Sequence, residues 1–402
     1  MANENPDLPP ALDGGAAHRL GGAWTDRGAQ VLALGGTGSW QAAVLCHRRA
    51  IELLGALRPA DDSQADLGTA WVNLGNALLA DPSAGSDEEA LDAFARAIAV
   101  IDRLPVSSKP RFRHNLAAAW MSRADALARG ESPAQLAEAR LAYGQSLEIA
   151  LGLPLDEKPA FRVLLASCRI NLGCLLGRLS STASAVGECE RAVAALGPLP
   201  AAGHRLARHH AATAWINRGE FLLGLVGGAR EAVDSARTAQ RLIEGTGHGS
   251  PAEAKLRLRA LVVIARGLES SMRGAGAAPG ADALAELTDV TESGVEIALA
   301  RREGAPEIFD PFVAWFFSVG SRVYGRYQPH FLSEYLAETL SRLGDGAGPE
   351  LAGRLRTIAG QSSRAALDAL GHDRVIVAGT QEADRLLCTA RDLRGAEALF
   401  NR

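Results

Sequence analysis

The sequence predicts an all-α solenoid of stacked helical hairpins, and three observations carry that prediction. A short phrase, Trp71-x2-Leu74-Gly75-x2-Leu78, returns in weaker copies along the chain. The copies are evenly spaced: their first positions are Trp24, Trp71, Trp120, Arg169, Trp215 and Val263, at steps of 47, 49, 49, 46 and 48 residues. Each copy lies in a run whose apolar residues recur at three- and four-residue steps, the period of one helix face. A fixed period with breakers between the runs marks a repeat architecture, because a lone helical pair cannot bury its apolar face and must stack on its neighbours.

The second unit is the clearest. Leu67, Ala70, Trp71, Leu74, Ala77 and Leu78 form one helical face, and the stretch from Asp81 to Ser86 breaks it. A second run follows in Ala90, Leu91, Phe94, Ala97, Ile98 and Ile101, opened by Ser86 with Glu89 three residues on, a capping-box start. Leu104-Pro105 closes the unit. The second helices share a small–bulkier–small triplet, Ala43/His47/Ala50, Ala90/Phe94/Ala97, Ala139/Tyr143/Ser146, Ala185/Cys189/Ala192 and Ala232/Ala236/Ala239. Small residues there, with Gly28, Gly75, Gly173 and Gly219 on the first helices, let neighbouring helices approach closely, and Trp71 is the expected knob between them.

These residues resemble the tetratricopeptide repeat family: Trp71-x2-Leu74-Gly75-x2-Leu78, then Ala90-x3-Phe94-x2-Ala97, then Pro105. The resemblance covers residues 15–305 as six hairpins and implies a right-handed superhelix with a concave groove lined by first helices. The family period is about 34 residues, so these hairpins are expected to be longer. The echo of Lys109-Pro110-Arg111-Phe112-Arg113 in Lys158-Pro159-Ala160-Phe161-Arg162 places part of the extra length in the first helices, with Pro in the first turn.

By the same resemblance, the groove contacts lie two and five residues after each anchor. The candidates for contact with a bound partner are Asn73, Asn76, Asp125, Asn171, Asn217 and Glu220. An Asn side chain both donates and accepts, which suits an extended peptide backbone; Asn here also has a structural reading, bonding the neighbouring helix. The position after each anchor reads Thr25, Val72, Met121, Ile170, Ile216 and Ile264, a wall without cations. That argues against a carboxylate clamp and for an apolar or amphipathic partner segment. Arg27, Arg123, Arg218 and Arg266 recur three after the anchor, and Arg113, Arg162 and Arg208 seven before it. The former read as stems packed between helices, the latter as a solvated basic edge.

Composition sets the remaining bounds. The 402-residue chain is 47% hydrophobic with net charge −4, ample for a core and unsuited to a nucleic-acid field. No apolar run of membrane-span length and no signal-peptide pattern appears, and residues 1–14 read as a disordered tail. Five scattered Cys (46, 168, 174, 189, 388) read as reduced thiols of a cytoplasmic protein. Residues 306–402 read as an aromatic-rich cap or degenerate repeats. Trp315, Tyr324, Tyr327 and Tyr335 there are candidate interface residues, through which the chain could pair with a second copy. Runs near 349–370 and 380–400 read as helices, and Val375–Ala378 as an extended segment. The Gly35-Gly36-Thr37-Gly38 run lacks a preceding strand, and adjacent His209 and His210 point to different faces. No catalytic, cofactor or metal site is expected. The function expected is a non-enzymatic scaffold or adaptor that binds a partner protein or peptide, with a peptide-sensing regulator as the alternative and nucleic-acid binding or catalysis behind both.

Overall fold

The computed structural model describes residues 14–34, 38–80, 86–197, 205–244, 250–274, 280–343 and 349–372. The expected tail up to residue 13, the extended segment at 375–378, the last helical run and Cys388 lie outside them. The described residues are helical, with no strand among them, and the chain divides into two compact units, Met1–Pro200 and Ala201–Arg402.

The first unit is four hairpins: α1 (Gly14–Leu34) with α2 (Ser39–Gly55), α3 (Asp61–Leu79) with α4 (Ser86–Ile101), α5 (Pro110–Arg129) with α6 (Pro133–Leu151), and α7 (Pro159–Arg178) with α8 (Thr182–Leu196). Each hairpin packs on the next, and the first helices α1, α3, α5 and α7 also touch in succession. The second unit pairs α9 (Arg205–Leu222) with α10 (Ala229–Ile243) and α11 (Pro251–Gly274) with α12 (Ala281–Arg301). Then α13 (Pro306–Tyr327) packs on α12, α14 (Pro329–Leu343) and α15 (Pro349–His372).

Local chemistry explains the boundaries. Seven of these helices, α5, α6, α7, α11, α13, α14 and α15, begin with Pro, whose fixed φ suits the first turn and whose missing N–H is one the turn leaves unpaired anyway. Ser132 caps α6 by accepting from the Gln135 N–H at 3.2 Å. Gly38 and Gly227, at φ +82° and +79°, turn the chain into α2 and α10 through the left-handed region that other residues avoid.

The core is built from very small residues against a few large ones. The triplets on the second helices are all buried; in four of the five units the outer two residues are fully buried alanines, and in the third Ser146 takes the last place. At its middle position stand His47, Phe94, Tyr143, Cys189 and Ala236, each 2% exposed or less. Phe94 sits against Gly75 so closely that a Cβ there would lie 2.5 Å from its ring, and His47 meets Gly28 in the same way. The knob that fills the glycine is therefore the second-helix residue, not Trp71 as expected. Trp71 is half-buried at the seam of three apolar clusters, with the Arg96 guanidinium 5.1 Å above its ring.

Arginines bond carbonyls at helix ends and in a loop, some between successive hairpins and some within one. Arg129 of α5 donates to the Leu79 carbonyl at 2.9 Å, and Arg178 of α7 donates to the Gly130 carbonyl at 3.0 Å. Arg113 holds the carbonyls of Gly152 and Ser107, and Arg162 holds that of Ala195 at 3.2 Å. Arg113 and Arg162 are thus not a solvated edge; they satisfy terminal carbonyls that no helical N–H reaches. Arg123 and Arg218 stack on Trp120 and Trp215 at 5.8 and 5.7 Å, the packed role expected of that column.

Among the described residues one helix, α7, is long and apolar enough by length and composition to cross a membrane, although no consecutive apolar run stands out in the sequence. It reaches that composition as a core helix: Phe161, Leu164, Leu165, Cys168, Ile170 and Leu175 are buried against α5, α6 and α8.

Candidate partner-binding surfaces

Four of the six predicted groove residues bond neighbouring hairpins. Asp125 on α5 is mostly buried and accepts from the Tyr143 hydroxyl of α6 and from Asn171 Nδ2 of α7 at 2.9 Å. Burial pushes its carboxyl up from the ordinary 3.8 to about 6, and the two donors only partly offset this. In the second unit Arg259 of α11 reaches back to α9. It donates to Asn217 Oδ1 at 2.7 Å and grips both Glu220 carboxylate oxygens, at 3.2 and 2.8 Å. Asn217 itself is 3% exposed. These side chains are the registry bonds between hairpins, the structural reading of the column. Asn73 is half-buried and Asn76 exposed on α3.

The aromatic candidates divide similarly. Tyr335 is buried, stacked on Phe317 and Tyr324 at 5.9 and 4.6 Å, and its ring fills the space above Gly320. Tyr324 is also buried and donates to Glu292. Both are part of the core of the second unit, and Tyr335 sits in the space that Gly320 leaves open. Trp315 is half-buried, edge-on to Phe316 at 4.9 Å, and Tyr327 is half-buried at the rim of a cleft.

Two clefts are built from residues that the sequence columns do not single out. The first, about 580 Å³, lies wholly in the first unit between α4 and α6, floored by α5. Ile98, Val106, Leu116, Trp120 and Ile149 give it an apolar lining, and the exposed carboxylates of Asp102 and Glu148 stand at its edge. Arg113 in its wall is bonded to backbone carbonyls. Ile98 on α4 and Ile149 on α6 are half-buried, with part of each side chain open to the cleft. The signal in the sequence is an apolar residue on the outer side of each second helix, outside the small–bulkier–small triplet.

The second cleft, about 280 Å³, lies wholly in the second unit, between α11, α12 and α13. Met272, Leu287 and Val323 form its floor, and Arg273, Arg322, Arg326, Glu269 and Tyr327 its walls. Among the described residues no three His, Cys, Asp or Glu side chains gather to hold a metal ion. His209 and His210 lie edge to face at 6.0 Å. Cys46, Cys168 and Cys189 are buried thiols and Cys174 an exposed one, and these four form no disulfide.

No protein-family model matches the sequence, and no curated protein matches it either. Solved structures similar to this one include the apo form of RapI, at TM-score 0.45 and 9% identity over 74% of this chain and 96% of that one. A Rap protein complexed with Competence and Sporulation Factor gives TM-score 0.43 and 13% identity, over 96% of this chain and 99% of that one. The Rap conjugation gene regulator of plasmid pLS20, in complex with the Phr* peptide, gives 0.39 and 12%, over 96% of each. At TM-scores below 0.5 these likenesses carry no statement about what the present chain binds.

Proposed function

We propose that the chain is a non-enzymatic interaction scaffold of lengthened, tetratricopeptide-like hairpins that holds a short segment of a partner protein. The observation that carries this reading is the cleft over α5 in the first unit. Its volume is in the range that holds one or two side chains and their backbone, not a folded domain. Its apolar lining and acidic edge call for an amphipathic segment carrying an apolar anchor and a Lys or Arg. Rigid helices on both sides supply a preformed surface, so the ordering cost falls on the partner. Asn73 and Asn76 remain the first-helix residues proposed to touch the partner. Asp125, Asn171, Asn217 and Glu220 enter only by holding the hairpins in register.

The starts of the first helices, at Gly14, Asp61, Pro110, Pro159, Arg205 and Pro251, support a repeat near 48 residues and six hairpins across 15–305. The burial of Tyr324 and Tyr335 supports residues from 306 onward as the cap of the second unit. Buried cysteines outside any disulfide among the described residues fit a cytoplasmic setting. A peptide-sensing regulator is the same cleft with a free peptide in it.

The test is affinity capture from native lysate with the wild-type chain and with an Asp102→Arg/Glu148→Arg variant. Both positions are exposed, so the variant keeps its fold and its thermal midpoint. A partner held by the wild type and weakened on the order of tenfold or more in the variant supports the proposal. Equal capture by both, or no stoichiometric protein on the wild type, overturns it.

A further inference from the structure

We infer that the cleft between α11, α12 and α13 binds an oxyanion, a phosphate or carboxylate group, carried on a small aromatic or aliphatic body. This site lies in the second unit and is independent of the partner cleft proposed above. Three arginines line it, Arg273 on α11 and Arg322 and Arg326 on α13, against a single lining carboxylate residue, Glu269. The lining therefore carries a net positive charge.

The charges are arranged, not merely near one another. Glu269 is largely buried and holds both Arg322 of α13, at 3.2 Å, and Arg273 of its own helix, at 3.7 Å. Arg322 is also fixed by donation to Ser318 Oγ at 2.9 Å. A guanidinium has five N–H donors, so these bonds leave further donors on each group for a ligand. Arg326 has no carboxylate within ion-pair distance among the described residues, and its guanidinium lies 5.4 Å from the ring centre of Tyr327. With no carboxylate pair, its N–H donors are open to an anion, and a guanidinium can receive two oxygens of one anion at once.

Helix-end electrostatics account for part of this set and not the whole. Arg273 and Arg326 lie in the last turns of α11 and α13, where a cation complements the partial negative charge of the terminal carbonyls. Arg322 stands a turn earlier and has no such role. Below the three arginines the floor is apolar, with Met272, Leu287 and Val323. A bare inorganic anion would leave that floor wet. A cavity of about 280 Å³ has room for an anion and one ring or a short aliphatic chain.

The experiment is isothermal titration of the full chain with phenyl phosphate, phenylacetate, inorganic phosphate and benzyl alcohol. The expected result is saturable one-to-one binding of phenyl phosphate or phenylacetate; whichever binds tighter identifies the anion. Inorganic phosphate binds more weakly than phenyl phosphate, and benzyl alcohol does not bind. Arg326→Gln removes no carboxylate pair and leaves the fold intact; it weakens the aromatic anion on the order of tenfold, and Arg322→Gln/Arg326→Gln weakens it further. Raising the salt concentration weakens binding to the wild type more than to the double variant. The inference is overturned if neither aromatic anion binds, if both variants bind as the wild type does, or if benzyl alcohol binds as well as the anions.

Discussion

Asp125 is predicted to make the protein less stable as the pH rises through the mildly acidic range, and Asp125→Asn to remove that effect. In the unfolded chain its carboxyl ionises near 3.8; in the folded chain burial between α5, α6 and α7 delays ionisation to about 6. Between those values the native state holds a proton that the unfolded state has lost, so stability falls as pH rises. Each pH unit across that window is worth about 1.4 kcal/mol, which makes the whole effect about 3 kcal/mol. Asn at this position still accepts from Tyr143 and Asn171, and it never ionises. The stability of Asp125→Asn minus that of the wild type should therefore rise by roughly 2.5 kcal/mol between pH 4 and pH 7, and then stay level. Urea unfolding at half-unit pH steps from 4 to 8 measures it. Any fixed cost of the Asn amide shifts the whole curve without changing its shape. A difference that is flat with pH, or that falls as pH rises, would refute the reasoning. The difference is needed because His47 acts in the opposite sense. Burial lowers its imidazole from 6.5 to about 4, so its contribution is present above 6.5 and lost as pH falls toward 4. The two groups sit in different hairpins and nearly cancel in the wild-type profile.

Three further predictions follow from the packing. His47→Phe places against Gly28 the residue that Phe94 places against Gly75; it removes a buried ring nitrogen, Nδ1, that has no hydrogen-bond partner, and should raise stability at pH 5 by about 1–3 kcal/mol, with a smaller gain at pH 8. A Gly75→Ala variant drives a Cβ to 2.5 Å from the Phe94 ring and should destabilise by about 1–3 kcal/mol despite the better helix propensity of Ala, whereas Gly144→Ala, which meets nothing within 4 Å, should stabilise by about 0.5–1 kcal/mol; thermal or urea unfolding of the pair decides it. In a Cys388→Ser background, one thiol, Cys174, should react rapidly with a thiol reagent in the native state, while Cys46, Cys168 and Cys189 react only on unfolding; burial pushes the Cys168 thiol up to about 12, which slows it further.

The helical hairpins are legible in the sequence because their determinants are local. Apolar spacing sets each helix face, Pro opens many of the helices, and Gly or Ala recurs wherever another helix comes close. The triplets from Ala43/His47/Ala50 to Ala232/Ala236/Ala239 mark buried positions correctly because each is a contact within one hairpin or to the next. What the residue columns do not reveal is the use of each polar side chain. Asn73 and Asn171 are the same residue in one register, yet Asn171 donates to Asp125 across the α5–α7 seam, whereas the position that Asp125 holds on α5 is taken by Ala29 on α1. The partner, not the residue type, decides the role, and the partner lies nearly fifty residues away.

The same reason explains the clefts. The floor of the first comes from α5 and its walls from α4 and α6, so no single helix face carries its pattern. Arg273 joins Arg322 and Arg326 only because α11 and α13 converge on α12. Tyr335 looks like an interface residue in a local aromatic run, and the distant Gly320 turns it into core. Taken alone, the sequence determined the helices, their pairing and the small-residue faces through interactions a few residues apart. Only the tertiary structure decided which polar groups bond across hairpins and which surfaces stay open. Those outcomes depend on how three helices meet, and burial in that meeting is what shifts Asp125, empties the clefts and fills the gap at Gly320.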